Sequence, residues 1–151
     1  MAIYNIAGLK VNMIDPKGRT KKQAEPYLAE CQDEKQPVDI TINVTDERVR
    51  AAVAEHPELQ QGDWEYMLTG SDFYTELIKY DGILLHSSCI VVDDRAYAFS
   101  ADSGVGKSTH TQLWLKHFGD RCYMLNDDKP AIRLIDGEVY ACGTPFSGKY
   151  D

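Results

Sequence analysis

The chain has no Cys-x-x-Cys pair, no surplus of basic residues and no unbroken apolar run long enough to cross a bilayer, and each absence removes a class of function. Its four cysteines, Cys31, Cys89, Cys122 and Cys142, are far apart, so a zinc site built from local ligands is not expected. The segment MAIYNIAGLKVNMIDPKG has no basic stretch leading into an apolar one, as a secretory signal would. The cysteines are therefore expected to be reduced thiols in a soluble, cytoplasmic protein. With 24 acidic against 16 basic residues and a formal charge of −8, the chain lacks the basic face that displaces counterions from nucleic acid. The most apolar run, ILLHSSCIVV, is interrupted by His86, Ser87 and Ser88, which argues against a membrane partner. A small phosphate-bearing molecule or a small basic partner stays compatible with this acidity.

What is present reads as a globular α/β chain: 43% of its 151 residues are apolar, enough for a core. IYNIAGLKVNM is rich in strand formers and ends at a turn signal, Asp15-Pro16-Lys17-Gly18. Residues 20–32 have helical composition that Pro26 shortens or kinks. VDITINV, residues 38–44, alternates with period two and predicts a half-buried strand. Thr45 or Asp46 is placed to cap a helix, ERVRAAVAEH, that stops at Pro57. Residues 64–68 fit neither pattern, and Ser71 or Asp72 is placed to cap a short helix, FYTELIKY, closed by Asp81-Gly82. A soft boundary near residue 82 divides the chain into a small α/β N-terminal region, residues 1–81, and a second region, residues 82–151.

In the second region GILLHSSCIVV and AYAFS are strand-like runs separated by Asp93-Asp94-Arg95, which predicts a hairpin. A glycine-rich stretch follows, then KSTHTQLWLKHF, a helix with Leu113, Trp114 and Phe118 available for one apolar face and Gly119 to end it. RCYMLN reads as a strand ending at Asp127-Asp128, and PAIRLI and EVYA as a hairpin turning at Asp136-Gly137.

The glycine-rich stretch SADSGVGKSTH nearly matches the phosphate-loop pattern G-x-x-x-x-G-K-[ST], with Ala101 where the pattern has glycine. Such a loop works because backbone N–H groups at a helix start surround phosphate oxygens while a lysine supplies charge. Asp102, Ser103, Gly104, Val105, Gly106, Lys107, Ser108 and Thr109 are thus the candidate nucleotide-binding residues, with the Ser108 hydroxyl offered to Mg2+. An alanine- or glycine-led version of the octapeptide arises by chance in roughly one chain in a hundred of this length, so chance explains it poorly. Ala101 matters only if its backbone needs positive φ.

Asp127-Asp128, at the end of a strand one helix after the loop, is placed to hold Mg2+ and to act on an acceptor hydroxyl. The other doublet, Asp93-Asp94, reads as a hairpin turn. His86, a lone histidine in an apolar strand, reads by itself as a satisfied core residue. His56, His110 and His117 read as surface or packing residues.

The ordered set of His86-Ser87-Ser88, hairpin, Asp102-Ser103-Gly104-Val105-Gly106-Lys107-Ser108, helix and Asn126-Asp127-Asp128 resembles the kinase domain of HPr kinase/phosphorylase and HPr-kinase-like proteins. These share a fold with the ATP-dependent phosphoenolpyruvate carboxykinases. The similarity covers about residues 82–148. It implies a mixed sheet with a P-loop, and an ATP- and Mg2+-dependent kinase acting on a hydroxyl of a protein, peptide or small molecule. Lys107 and the loop amides would hold phosphates, Ser108, Asp127 and Asp128 the metal. Asp128 would be the base, with Asp127 and His86 beside it as catalytic candidates. The family's habit of assembling through this domain implies a homo-oligomer. Three departures accompany the resemblance: Ala101 replaces glycine, residues 1–81 do not look like the N-terminal domain of bifunctional HPr kinases, and the family continues beyond TPFSGKYD with further strands and helices. The kinase-like region is therefore expected to be incomplete at its C-terminus. Gly143-Thr144-Pro145-Phe146-Ser147-Gly148-Lys149 resembles a family loop and reads equally as a surface loop. Two further readings keep the nucleotide site: a binding module without catalysis, and carboxykinase chemistry, for which no clear arginine and lysine set is found.

Overall fold

A computed structural model of the chain describes residues 2–30, 37–102 and 104–148. Within these the protein is α/β and falls into two compact units, Met1–Tyr80 and Asp81–Asp151. Cys31, Ser103 and Lys149 lie outside the described residues.

The first unit begins with two antiparallel strands, β1 (Ala2–Ile6) and β2 (Leu9–Met13), where the sequence suggests one strand-rich stretch. They turn at Ala7-Gly8, both with positive φ. Alanine seldom takes that conformation, so the turn leaves little local signal. Helix α1 (Gly18–Ala24) passes into a short 3₁₀ turn at Glu25–Tyr27, where Pro26 removes the donor that would extend it. Strand β3 (Ile40–Ile42), shorter than expected, pairs parallel with β2. Thr45 caps α2 (Asp46–Glu55), its side chain accepting a bond from Arg48 N at 3.3 Å.

The expected cap at Ser71 or Asp72 is not one. A single helix, α3 (Gln61–Leu77), runs through both residues and includes residues 64–68. Gln60 and Asp63 form a reciprocal capping box at its start, and Tyr66, Thr69, Gly70, Phe73 and Leu77 form its buried face. Asp72 instead receives Arg48 in a two-pronged ion pair, with N···O distances of 2.7 and 3.0 Å.

The second unit holds two three-stranded sheets. The run read as one strand over residues 82–92 divides into β4 (Gly82–Leu84) and β5 (Ser88–Val92), which join different sheets. His86 lies in the connector between them rather than within a strand. β5 makes the expected hairpin with β6 (Arg95–Phe99), turning at Asp93 and Asp94, both with positive φ. Helix α4 (Lys107–Phe118) follows, ending at Gly119, and leads to β7 (Cys122–Asn126). The second sheet pairs β4 with β8 (Ala131–Ile135) and β8 with β9 (Glu138–Cys142), the last hairpin turning at Asp136-Gly137.

The sheet carrying the glycine-rich loop has the order β6-β5-β7 and is antiparallel throughout, so the expected mixed sheet is not found around the loop. β6 and β7 run in the same direction, with β5 reversed between them. Phe99 lies opposite Ser88, and Cys89 opposite Asn126. The ends of β6 and β7 and the start of β5 therefore meet at one edge of the sheet. Ile90, Val92 and Cys122 pack under Trp114, Leu115 and Phe118 of α4, with Phe99 and Met124 completing the cluster. Leu113, expected on this face, is 60% exposed, because the packed stripe runs through Leu115 instead.

Candidate functional site

The loop that follows β6 is shaped by its glycines. Gly104 and Gly106 have φ of 84° and 94°, a left-handed conformation that glycine adopts without steric penalty. Ala101 is not among the residues with positive φ, so its Cβ brings no strain at the position where the pattern has glycine. Gly106 is the N-cap of α4 and has no side chain to satisfy the helix start, and the first turn carries no acid. The first helical bond runs from His110 N to Gly106 O at 2.9 Å, so the N–H groups of Lys107, Ser108 and Thr109 have no acceptor within the helix. Such a start favours an anion. Lys107 Nζ folds back on its own loop, donating to the carbonyls of Ala101 and Asp102 at 2.7 and 3.1 Å. Asp102, Val105 and Thr109 are exposed and Ser108 half-buried.

The turn after β7 is organised by Asn126, which is fully buried. Its Oδ1 accepts bonds from Asp128 N at 3.0 Å and Lys129 N at 2.7 Å, the pattern by which an Asn side chain stabilises a turn. Its Nδ2 donates to Thr144 O and Oγ1 at 3.1 and 3.2 Å. The two aspartates that follow meet different surroundings. Asp127 is buried: its Oδ1 accepts the Ser88 hydroxyl at 2.6 Å, and its N donates to Ser147 Oγ at 3.2 Å. Asp128 keeps 28% of its side chain exposed, its Oδ1 3.3 Å from His86 Nε2 and its Oδ2 paired with Lys129 Nζ.

The connector holding His86 is tied to both segments. Ser87 N donates to Asp128 O at 3.1 Å and Leu85 N to Pro130 O at 3.2 Å, so the connector runs beside the acidic turn. Ser100 Oγ, at the start of the loop, donates to His86 O at 3.0 Å. His86 is not a core residue, since 56% of its side chain is exposed beside Asp128. The reading of it as a satisfied core histidine fails because the strand ends at Leu84.

These bonds bring His86, Asp127, Asp128 and the loop to one sheet edge. The link from Asp127 to α4 runs through Ser88 Oγ, which lies 2.9 Å from Thr111 Oγ1. Asp93 and Asp94 stand at the opposite end of β5, where Arg121 Nε donates to Asp93 Oδ1 at 2.9 Å. Among the described residues no group of three His, Cys, Asp or Glu side chains gathers as a metal site. The candidate magnesium ligands are of another kind, one hydroxyl and two carboxylates.

Residues 143–148 fold onto the acidic turn rather than forming a free surface loop. Thr144, Phe146 and Ser147 are buried, and Thr144 Oγ1 donates to Lys129 O at 2.9 Å. A methyl group on Gly148 would lie 3.1 Å from Asp127 Oδ2 and 3.2 Å from the Asp127 carbonyl oxygen, closer than carbon normally sits. Sequence reasoning missed Thr111 as part of the site, and it named Ser88, Thr144 and Ser147 only as members of stretches that resemble the family, with no role for their side chains.

Cys89, Cys122 and Cys142 are free thiols. Burial pushes the Cys89 thiol up to about 11 and raises the other two, which does not suit any of them to act as a nucleophile. No helix among the described residues is long and apolar enough to cross a membrane. Comparison of the chain with protein-family models, curated proteins and solved structures found no match.

Proposed function

We propose that this chain is an ATP- and Mg2+-dependent kinase of the HPr-kinase-like group, transferring phosphate to a hydroxyl of a protein, peptide or small molecule. One observation carries the reading: a glycine-shaped helix start with a lysine at its first position, and an acidic turn with a histidine beside it, share one sheet edge and are hydrogen-bonded to a common connector. The donor set fits the ligands. The amides of Lys107, Ser108 and Thr109 and the Lys107 ammonium suit phosphate oxygens, and the oxygens of Ser108, Asp127 and Asp128 suit magnesium. Magnesium, when bound, neutralises charge on the phosphates.

In this reading Lys107 exchanges the carbonyls of Ala101 and Asp102 for phosphate oxygens and stabilises the charge that shifts during transfer. Asp128 accepts the proton of the acceptor hydroxyl. That oxygen bonds to the γ-phosphorus as the bond to the bridging oxygen breaks, releasing ADP. His86 and Lys129 fix the orientation of the Asp128 carboxylate. Asp127 is enclosed by Ser88 and Gly148, which favours Asp128 as the base.

Incubation with Mg-ATP labelled in the γ position and a panel of hydroxyl acceptors tests the reading. Wild type is expected to transfer label, Asp128→Asn to bind ATP without transfer, and Lys107→Ala to bind ATP at least about tenfold more weakly and to transfer little label. Nucleotide binding with no transfer to any acceptor would favour the second reading, a binding module without catalysis, which the pairing of Asp128 with Lys129 also suits.

A further inference from the structure

The carboxylate of Asp127 is not simply a second copy of Asp128. It ends a buried chain of hydroxyls that crosses from β7 through β5 to α4: Ser88 Oγ lies 2.6 Å from Asp127 Oδ1 and 2.9 Å from Thr111 Oγ1. Ser88 and Thr111 have no exposed surface, so no bulk water replaces a lost partner. Ser88 reaches α4 because it shares the alternation of Ile90 and Val92, the two β5 side chains that pack under that helix.

Counting protons gives the chain a direction. A carboxylate only accepts, so the single proton of Ser88 goes to Asp127, and the Thr111 hydroxyl must be the donor to Ser88. Thr111 also has acceptors on its own helix, Ser108 O at 3.0 Å and Lys107 O at 3.4 Å. With Asp127 in place its proton points across to β5. Without that acceptor Ser88 no longer needs a donor, Thr111 turns back to Ser108, and the tie between helix and sheet is lost.

We propose that Asp127 is a positioning residue, which through Ser88 and Thr111 sets the first turn of α4, with Lys107 and Ser108, against the turn carrying Asp128. The inference rests on the nucleotide-site reading above. Its consequence is selective: Ser108 and the acidic turn, the two halves of the candidate magnesium site, are held in register by Thr111, whose hydroxyl lies 2.9 Å from Ser88 Oγ and 3.0 Å from the Ser108 carbonyl oxygen.

ATP affinity measured by calorimetry with Mg2+ and again with EDTA, for wild type, Thr111→Val and Thr111→Ser, tests it. Thr111→Val is expected to lose about tenfold in affinity with Mg2+ and less than about twofold with EDTA, and Thr111→Ser to match wild type. If Thr111→Val does not fold, Ser88→Ala must show the same selective loss. An unchanged Mg2+ enhancement in these variants overturns the inference while leaving the nucleotide site intact. Equal losses in Thr111→Ser and Thr111→Val also overturn it, since packing and not the hydroxyl would then be responsible. Wild type that binds no ATP removes both the site reading and the inference.

Discussion

His86 Nε2 lies 3.3 Å from Oδ1 of Asp128, while the neighbouring aspartate, Asp127, points its Oδ1 to a buried serine at 2.6 Å. Two adjacent carboxylates thus have separate surroundings, one with 28% of its side chain exposed beside His86 and one largely buried with its Oδ1 on Ser88. Asp128→Asn is expected to slow phosphoryl transfer by roughly 10²–10⁴-fold, the range for loss of a general base, with ATP affinity measured in EDTA changed by less than about twofold. Transfer assays beside calorimetry check this. A large fall in ATP affinity would make Asp128 a binding group instead.

The close approach of Gly148 to Asp127 gives a prediction about packing. Gly148→Ala places a methyl 3.1 Å from Asp127 Oδ2 and 3.2 Å from a backbone oxygen that has little room to move. It should destabilise the protein by about 1–3 kcal/mol, read by urea unfolding. In an Asp127→Ala background the effect should shrink, because part of the clash is with that side chain. A neutral Gly148→Ala would mean that residues 143–148 do not rest on the acidic turn.

Some of this was legible in the sequence and some was not, for physical reasons. The bounds of α4 are punctuated by Gly106 and Gly119, and the hairpins at Asp93-Asp94 and Asp136-Gly137 use residues that accept positive φ. These signals are local. The helix α3 was not legible as one element, because Ser71 and Asp72 carry cap chemistry locally while the buried face from Tyr66 through Phe73 to Leu77 continues past them. The glycine loop and Asp127-Asp128 are contiguous motifs and could be read directly. Ser88, Thr111, Thr144 and Ser147 take their roles from partners on other elements, and no spacing within one segment records such pairs.

The hairpin between β5 and β6 offers a control away from the site. Asp94 holds φ of 62°, where a β-branched side chain meets steric strain that glycine does not. Asp94→Val should cost about 1–2 kcal/mol of stability and Asp94→Gly should cost nothing or add stability. Thermal or urea unfolding reads both, and ATP affinity should be unchanged in each. Equal stability of the two variants would contradict the left-handed turn.

Stability at alkaline pH should carry a thiol signature. Burial raises Cys89 from its ordinary value of 9.0 to about 11, so the unfolded chain loses this proton at a pH where the folded protein still keeps it. The contribution is fully present below pH 9 and lost as pH rises toward 11. Urea unfolding across that window should show falling stability, less steep in Cys89→Ala; the remaining slope belongs to other raised groups, among them Cys122, Cys142, Tyr4, Tyr140 and Lys17. An identical slope in the variant would mean that the Cys89 thiol is not sealed from water.

The central claim is that the loop from Ser100 to Ser108 holds a nucleotide's phosphates, and its most direct test is Mg-ATP affinity in wild type against Lys107→Ala. Removing a charged donor from a phosphate should weaken binding by at least about tenfold. Wild type is therefore predicted to bind Mg-ATP and Lys107→Ala to bind it clearly more weakly. Equal affinity of the two, or no binding by wild type, would contradict the account.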